Sequence, residues 1–343
     1  MKSAIIIGAV AAFALVGCQQ QGQDNAQSAA GITGAGASFI YPVMAAWTAD
    51  YASNTGDKIN YQSVGSGAGI AQIKAGTVTF GASDKPLDPA ELAEAGLAQF
   101  PMIIGGIVPV VNISGIDAGK LRLTGPILAD IYGGKIRKWN DPAIVSINPD
   151  ARLPDAAITP VHRSDSSGTT FNLTHYLSQV SAVWQKEFGE GTSINWAGGI
   201  GGKGNEGVAA YVKQVPNSIG YVEYAYVLQN NMAWTYLQNA AGNFVAPNAQ
   251  NFQAAATTAE WDKVEDFFLI MTNAPGADAW PITATTFILM DRKPRDAAQT
   301  QTALRFFKWA LEEGKPQAQS LDYVPIPDVL AGKIETYIAD KIQ

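Results

Sequence analysis

The sequence predicts an α/β fold of two domains, and three observations lead to this prediction. Short runs typical of β-strands alternate with apolar patterns of helical spacing along the chain. Glycine-rich turns separate many of these runs, as they do where strands are joined to helices. The 326 residues that follow position 17 exceed a comfortable single core, so we expect two domains with a binding cleft between them.

The predicted elements follow one another in α/β order. Strand-like runs are expected at residues 59–61, 78–80, 107–113, 158–162, 219–222 and 285–290. The helical spacing of apolar residues predicts helices around residues 40–51, 173–180 and 304–311. Because strands that alternate with helices are usually parallel, we expect sheets that are mostly parallel.

Composition and charge exclude several classes of function. With 47% hydrophobic and 15% charged residues, the chain is predicted to bury a sizeable core rather than to be disordered or fibrous. Its net charge of −7 argues against a nucleic acid as a partner, so any bound anion requires a local site. Cys18, His162 and His175 are all the cysteine and histidine of the sequence. We therefore expect no internal disulfide, no metal site and no cofactor.

The N-terminal residues have the pattern of an export signal. Lys2 precedes an apolar run that ends at Val16 and is too short to span a bilayer. The following Gly17-Cys18 completes a match that resembles the bacterial lipobox, whose leader is cut before a cysteine that becomes lipid-modified. We expect a signal peptide at 1–17, lipid attachment to the membrane at Cys18 and a flexible tether at 18–30. A leader that merely ends in cysteine, or a buried N-terminal helix, is the alternative.

Three segments share one design: a strand-like run, then small hydroxyl and glycine residues, then a helical pattern. They are residues 34–39 (GAGASF), 64–69 (VGSGAG) and 166–170 (SSGTT). The first N–H groups of a helix are unpaired and carry partial positive charge, glycine lets a ligand approach the backbone, and hydroxyls add neutral donors. One such segment is usually only a helix cap, but three together predict an anion site.

Two charged residues accompany these segments at predicted strand ends. Arg163 lies just before the third segment and offers a planar fork of donors suited to a tetrahedral oxyanion. With Asp165 two residues later, the same arginine is also typical of a surface ion pair. Asp84 ends the strand-like run that contains Phe80, where a carboxylate is commonly a turn residue. Both Arg163 and Asp84 are candidates for the anion site.

Six blocks of the chain, in order, resemble those of the periplasmic phosphate-binding proteins of phosphate ABC transporters. The blocks are TGAGASF at 33–39, GSG at 65–67, GASD at 81–84, RSDSSGTTF at 163–171, GGKGN at 201–205 and IGYVE at 219–223. The resemblance implies a two-lobed type II periplasmic-binding-protein fold, in which each lobe is a mixed sheet flanked by helices and a hinge of two crossovers joins the lobes. We expect one lobe at 31–104 plus 285–343 and the other at 105–284.

The resemblance also implies a set of ligands for inorganic phosphate. The residues implied to bind phosphate are Ser38, Phe39, Ser66, Asp84, Arg163, Ser167, Gly168 and Thr169. Asp165 would hold Arg163 in place, and no residue is implied to be catalytic. The family often has threonine at the position of Ser38, which keeps the hydroxyl and changes only the packing of a methyl group. The implied partners are the permease and ATPase subunits of a phosphate ABC transporter.

Hydrogen-bond counting explains why such a set selects phosphate. At neutral pH phosphate retains a proton, which a buried Asp84 would accept while donors satisfy the other oxygens. Sulfate has the same shape but no proton, so it would place an oxygen lone pair against the carboxylate. Sites that pair one polar group reject analogues lacking it by roughly 10⁴- to 10⁵-fold.

Three other functions stay open at this point. A phosphate-ester hydrolase needs a nucleophile, base or metal, for which His162 beside Ser164 and Ser167 is a weak candidate. A pocket for sulfate or another oxyanion, and a phosphate sensor or scavenger without a permease, are nearer alternatives. Residues 199–204 match G-x-G-x-x-G, but no clear hydrophobic strand leads into them, so we do not expect a dinucleotide.

Overall fold

The structure, a computed structural model, describes residues 31–343. The signal peptide predicted at 1–17, the lipid attachment at Cys18 and the tether at 18–30 lie outside these residues. Within the described range the chain forms twelve strands and thirteen α-helices, which alternate along most of its length. The α/β class predicted from the sequence is therefore confirmed.

The strands and helices have the following bounds. The strands are β1 (Ile32–Gly36), β2 (Ile59–Ser63), β3 (Phe80–Ser83), β4 (Leu97–Asn112), β5 (Leu121–Leu123), β6 (Thr159–Arg163), β7 (Ile200–Gly202), β8 (Ser218–Glu223), β9 (Ala233–Gln238), β10 (Phe244–Val245), β11 (Thr283–Asp291) and β12 (Val324–Pro325). The helices are α1 (Tyr41–Thr55), α2 (Ser66–Ala75), α3 (Pro89–Ala95), α4 (Gly125–Tyr132), α5 (Pro142–Ser146), α6 (Gly168–Val180), α7 (Ala182–Glu187), α8 (Gly204–Gln214), α9 (Tyr224–Gln229), α10 (Ala249–Ala256), α11 (Ala297–Glu312), α12 (Lys315–Ser320) and α13 (Asp328–Lys341).

Two predicted strands differ from the structure by more than a residue or two at an end. The run predicted at 78–80 becomes a strand only at Phe80, because Val78 and Thr79 lie in the bend that joins α2 to β3. The run predicted at 107–113 is the second half of β4, which begins ten residues earlier at Leu97. Pro101 and Pro109 interrupt the apolar pattern of this strand, and so its full length is hidden in the sequence.

Two groups of strands make up the sheet, and β4 belongs to both. The first group follows the order β2-β1-β3-β11-β4 and the second the order β4-β8-β6-β7. Strand β9 also pairs with β4, and β5 and β10 pair with β9. We term the part built on β1, β2, β3 and β11 the first lobe and the part built on β5 to β10 the second lobe. Along β4 the pairing passes from β11 to β8 between Gly106 and Ile107. The boundaries at 104/105 and 284/285 stay predictions.

The expectation of mostly parallel sheets is wrong. Strand β1 is parallel to β2 and β3, and β6 is parallel to β7 and β8, but β4 and β11 are antiparallel to every strand they pair with. The reason is that β4 leads out of the first lobe and β11 leads back into it, so the two strands run side by side in opposite directions. The sheets are mixed, as the family resemblance implied.

Aromatic rings pack the cores of both lobes. In the first lobe Phe80 of β3 contacts Phe307 of α11 edge to face, with ring centroids 4.9 Å apart. In the second lobe Tyr132 of α4 contacts Tyr221 of β8 in the same way at 5.8 Å. All four rings are buried, so they fix the helices on the sheet. None of the helices between residues 31 and 343 combines the length and apolar character needed to cross a membrane.

Candidate functional site

The starts of helices α2 and α6 meet at the interface between the lobes. Helix α2 begins at Ser66, and α6 begins at Gly168 after Ser167, whose hydroxyl caps it by accepting from the Thr170 N–H at 3.1 Å. The Gly168 N–H donates to Ser66 Oγ at 3.0 Å. The structure therefore places the second and third glycine-hydroxyl segments of the sequence face to face, one from each lobe.

Glycine permits this close approach. A Cβ atom at Gly168 would lie 2.6 Å from Ser66 Oγ and 2.7 Å from the Asp84 Cβ, both across the interface. Gly65 has a φ of +92° and would place a Cβ 2.4 Å from Asp165 Oδ2. Neither position accommodates a larger residue while the lobes stay in contact.

All eight predicted ligand residues are buried at this interface. The most exposed of the polar ones, Arg163, has only 4% of its surface accessible. Those from the first lobe are Ser38, Phe39, Ser66 and Asp84, and those from the second are Arg163, Ser167, Gly168 and Thr169. The structure thus brings the predicted set together from both lobes.

The hydroxyl of Thr169 is the centre of the polar contacts. It donates to Asp84 Oδ2 at 3.4 Å, and it lies at the same distance from two donors, Arg163 Nη1 and Asn205 Nδ2. Asn205 also donates to Ser38 Oγ, from its backbone N–H at 3.0 Å and from Nδ2 at 2.9 Å. These bonds connect the two lobes through polar side chains that water does not reach.

Arg163 and Asp165 form a two-point ion pair. The Arg163 Nε and Nη2 atoms donate to Asp165 Oδ1 and Oδ2 at 2.8 and 2.6 Å, and Gly204 N–H donates to Oδ1 at 3.1 Å. Burial alone would raise the pKa of Asp165, but the paired guanidinium and the Gly204 N–H hold that pKa below its usual value. The arginine is thereby oriented with Nη1 turned towards Thr169. This geometry agrees with the predicted supporting role of Asp165.

Asp84 is a buried carboxyl with few compensating contacts. Thr286 of β11 donates to Asp84 Oδ1 at 2.7 Å, and Asn172 of α6 donates to the Asp84 carbonyl at 2.7 Å. Burial raises the pKa of Asp84 to about 7, against the opposing effects of Thr286, Arg163 and Thr169. Asp84 is therefore poised to hold or release a proton near neutral pH.

Several donors at the interface have no protein acceptor among the described residues. The N–H groups of Phe39 and Thr169 are in this class. The hydroxyl oxygens of Ser38 and Ser66 each accept two N–H bonds, so their own protons are available to a further acceptor. The Gly168 N–H, an implied phosphate donor, instead binds Ser66 Oγ in this structure.

Three further residues of the site have no role assigned by the sequence analysis. They are Asn205, Thr286 and Tyr226, whose hydroxyl donates to the Ser38 carbonyl at 2.8 Å. Asn205 ends the GGKGN block, so its place directly after a helix start was a usable signal. Thr286 and Tyr226 lie within an apolar strand and a tyrosine-rich helix, where no local pattern distinguishes them.

The residues considered for catalysis and for dinucleotide binding have other contacts in the structure. The ring of His162 stacks on Trp196 with centroids 4.9 Å apart, and its Nδ1 is 3.0 Å from the Arg163 carbonyl. The G-x-G-x-x-G match at 199–204 contains the three-residue strand β7 and ends at the first residue of α8. Among residues 31–343, no group of three metal-ligating side chains occurs.

Comparison with known proteins places the chain in a family. The family model described as the PBP superfamily domain matches residues 21–313. The phosphate-binding protein PstS of Xylella fastidiosa strain Temecula1 is 62% identical over 312 residues, which cover 91% of this chain and 86% of that protein. This chain belongs to the PstS family of phosphate-binding proteins. The resemblance identified in the sequence is therefore confirmed.

Two solved structures share the fold of this PstS family member. The ancestral soluble variant of the human phosphate binding protein superimposes with a TM-score of 0.71 at 20% identity, covering 90% of this chain and 93% of that one. An ABC-type phosphate transport receptor from Vibrio cholerae gives a TM-score of 0.56 at 20% identity, covering 86% and 100%. These matches confirm the two-lobed architecture.

Proposed function

We propose that this PstS family member binds one inorganic phosphate between its lobes and delivers it to an ABC permease. One observation carries the proposal: the buried carboxyl of Asp84 accepts from the Thr169 hydroxyl, which Arg163 and Asn205 also contact. A single proton acceptor surrounded by donors suits a tetrahedral anion that still carries a proton. The known relatives are named for the same ligand.

The protonation of Asp84 supports selection against sulfate. With a pKa of about 7, Asp84 is largely ionised above neutral pH and then accepts the remaining phosphate proton. Sulfate brings no proton, so its oxygen and the carboxylate would repel each other in a site from which water is excluded. Below neutral pH a protonated Asp84 could donate to sulfate. We therefore expect the discrimination to be strongest at mildly alkaline pH.

Contacts between the lobes support a hinge mechanism. Asp84, Ser66 and Ser38 of the first lobe bond with Thr169, Gly168 and Asn205 of the second. Because both lobes contribute ligands, bound phosphate favours the closed arrangement by contacts that an open one lacks. We propose that the lobes are those predicted at 31–104 plus 285–343 and at 105–284, and that they rotate about β4 and the chain entering β11.

We propose that the protein acts outside the cytoplasm, held to a membrane by lipid at Cys18. The leader pattern before Cys18 and the polar segment after it support this location. The Vibrio cholerae neighbour is described as an ABC-type phosphate transport receptor. Delivery of phosphate to permease and ATPase subunits is the corresponding role for this chain. A sensor or scavenger without a permease is the alternative.

We propose that binding involves no catalysis. A hydrolase needs a base beside a nucleophile, and the ring of His162 stacks on Trp196 instead of facing a serine hydroxyl. The Ser167 hydroxyl is a helix cap, which is a structural use of that group. Asp84 contacts threonine hydroxyls and has the surroundings of a hydrogen-bond acceptor for a ligand.

Titration calorimetry of the purified full-length chain, stripped of bound anion, tests the proposal. Phosphate, sulfate and a phosphate monoester are compared at pH 8, and free phosphate is assayed after the monoester titration. We expect one-to-one phosphate binding, no heat from sulfate and no release of phosphate from the ester. Absence of phosphate binding would refute the proposal, and ester turnover would restore the hydrolase alternative.

A further inference from the structure

Three consecutive carbonyl groups in the first glycine-hydroxyl segment each accept a hydrogen bond from a tyrosine. The pairs are Ala37 with Tyr61 at 2.8 Å, Ser38 with Tyr226 at 2.8 Å, and Phe39 with Tyr323 at 2.6 Å. All three tyrosine rings are held in the core or at the interface, so the hydroxyls are fixed in position. Tyrosine hydroxyls thus orient the backbone of a segment that has no regular secondary structure.

Only one of the three bonds joins the lobes. Tyr61 lies on β2, which pairs with β1 of the same lobe, and Tyr323 directly precedes β12, which pairs with the first half of β4. Tyr226 lies on α9, directly after β8 of the second lobe. The bond from Tyr226 to Ser38 therefore requires the lobes to be in contact, whereas the bond from Tyr61 does not.

The Tyr226 bond fixes the direction of a particular N–H group. The Ser38 carbonyl and the Phe39 N–H belong to one planar trans peptide, so they point in opposite directions. Tyr226 draws the carbonyl towards the second lobe, and the N–H is aimed away from Tyr226 as a result. Within the described chain the Phe39 N–H has no protein acceptor.

The Ser38 carbonyl has one other hydrogen-bond donor, which lies farther away. In the first lobe the Ser38 carbonyl also accepts from the Tyr41 N–H, at a longer 3.3 Å. Tyr226 is 5% exposed, and burial raises the pKa of its hydroxyl, which therefore keeps its proton and remains a donor. Removing this hydroxyl leaves the Ser38 carbonyl with only the longer bond.

We propose that Tyr226 is a positioning residue for phosphate, which fixes the Ser38–Phe39 peptide on lobe closure so that the Phe39 N–H donates to the anion. The inference rests on the proposed function, because the Phe39 N–H needs an anion to receive it. The Tyr226 bond forms with closure, so its loss acts on the closed complex. Phosphate then dissociates faster, by about tenfold for one buried hydrogen bond, and associates at an unchanged rate.

The sequence provides a direct probe of this peptide. Ser38–Phe39 is the only place where phenylalanine follows serine. A protein labelled with carbonyl-¹³C serine and ¹⁵N phenylalanine therefore gives a single cross-peak in a two-dimensional HNCO-type spectrum, which correlates the amide proton with the preceding carbonyl carbon. That cross-peak reports the Ser38 carbonyl and the Phe39 N–H together.

The experiment compares three full-length proteins: the wild type, Tyr226→Phe and the matched control Tyr61→Phe, which removes a hydroxyl from the adjacent peptide within one lobe. Saturating phosphate should shift both the Ser38 carbonyl and the Phe39 amide proton in the wild type and in Tyr61→Phe. In Tyr226→Phe the carbonyl shift should be lost and the amide proton shift reduced. Stopped-flow displacement should give the tenfold faster dissociation for Tyr226→Phe only.

The outcomes separate this inference from the proposed function. If the wild type binds phosphate but Tyr226→Phe keeps the full carbonyl shift and dissociates within twofold of the wild-type rate, the positioning role is overturned and phosphate binding stands. If the wild type gives no phosphate response, both fail. If Tyr226→Phe does not fold, the chemical shift of the Ser38 carbonyl in the wild type is the test. A carbonyl shift that does not change with phosphate would contradict a bond made on closure.

Discussion

At the scale of single residues, Asp84 links the lobes and faces the proposed ligand. It accepts from Thr286 of the first lobe at 2.7 Å and from Thr169 of the second at 3.4 Å. Asp84→Asn replaces a proton acceptor with a group that also donates. Sites of this kind prefer one ligand by roughly 10⁴-fold. We expect the variant's preference for phosphate over sulfate to fall by at least about 100-fold. Competition calorimetry at pH 8 measures it, and an unchanged preference would contradict the role of Asp84.

The same carboxyl gives a pH dependence to the stability of the ligand-free protein. The folded pKa of Asp84 is raised to about 7, above the value of 3.8 expected when unfolded. A raised pKa contributes stability that is complete below 3.8 and is lost as the pH rises through 7. From pH 4 to pH 7 the wild type should lose up to about 4 kcal/mol relative to Asp84→Asn. Urea unfolding at several pH values tests this, and parallel pH profiles for the two proteins would exclude it.

Sequence reasoning identified the residues whose chemistry is local. Arg163, Asp165 and Asp84 carry charge at predicted strand ends, and so they could be selected before the fold was known. Thr286 could not, because its partner Asp84 lies 202 residues away in the chain. The GGKGN block marks Asn205, but its bond to Ser38, 167 residues away, forms only where the two lobes meet.

At the scale of elements, the facing starts of α2 and α6 depend on the lack of a side chain at Gly168. A methyl group there would overlap Ser66 Oγ and the Asp84 Cβ of the other lobe. We expect Gly168→Ala to weaken phosphate binding by roughly 10- to 100-fold, since overpacking costs about 1–3 kcal/mol. The unfolding free energy of the ligand-free protein should change little, because alanine is favourable in a helix.

Gly332 provides the control for this prediction. It lies in helix α13, and a Cβ there would meet no atom within 4 Å. Gly332→Ala should raise the unfolding free energy by about 0.5–1 kcal/mol and leave phosphate affinity unchanged. Calorimetry of both variants measures the effect on phosphate binding, and urea unfolding measures the effect on helix stability. Equal phosphate affinity in Gly168→Ala and the wild type would show that the helix starts do not need to meet.

The positions of the helix starts were more predictable from the sequence than the pairing of the strands. Helices α2 and α6 begin at the predicted glycine-hydroxyl segments, because unpaired N–H groups and small residues are local signals. The length and direction of β4 were not predictable, since pairing with β11 joins residues 97–106 to residues 283–291. Both strands are buried along almost their whole length, so neither shows the alternation of a half-exposed strand.

At the scale of the whole molecule, β4 runs through both lobes and its partner changes near Gly106. A long strand shared by two lobes allows rotation about a few residues without loss of either core. Phosphate should therefore shift the protein from an open to a closed form. With phosphate, small-angle scattering should give a radius of gyration of about 20 Å, the value for a compact chain of this length. Without phosphate the radius of gyration should be larger. Identical scattering in both conditions would rule out closure.

The two-lobed organisation was predictable from chain length and from the order of the family blocks. The contacts between the lobes were not, because they join residues far apart in the chain, such as Tyr226 and Ser38. The physical reason is that the interface contacts are hydrogen bonds between polar groups, which leave no periodic pattern in the local sequence.

The most direct test of the account is a crystal structure of this protein grown with phosphate at mildly alkaline pH. We predict one phosphate between the lobes, with one oxygen within hydrogen-bonding distance of an Asp84 carboxyl oxygen and the others within reach of Arg163, the Phe39 N–H and the Thr169 N–H. Phosphate bound elsewhere, or bound here with Asp84 turned away from it, would contradict the central claim that a buried carboxyl recognises the proton of the anion.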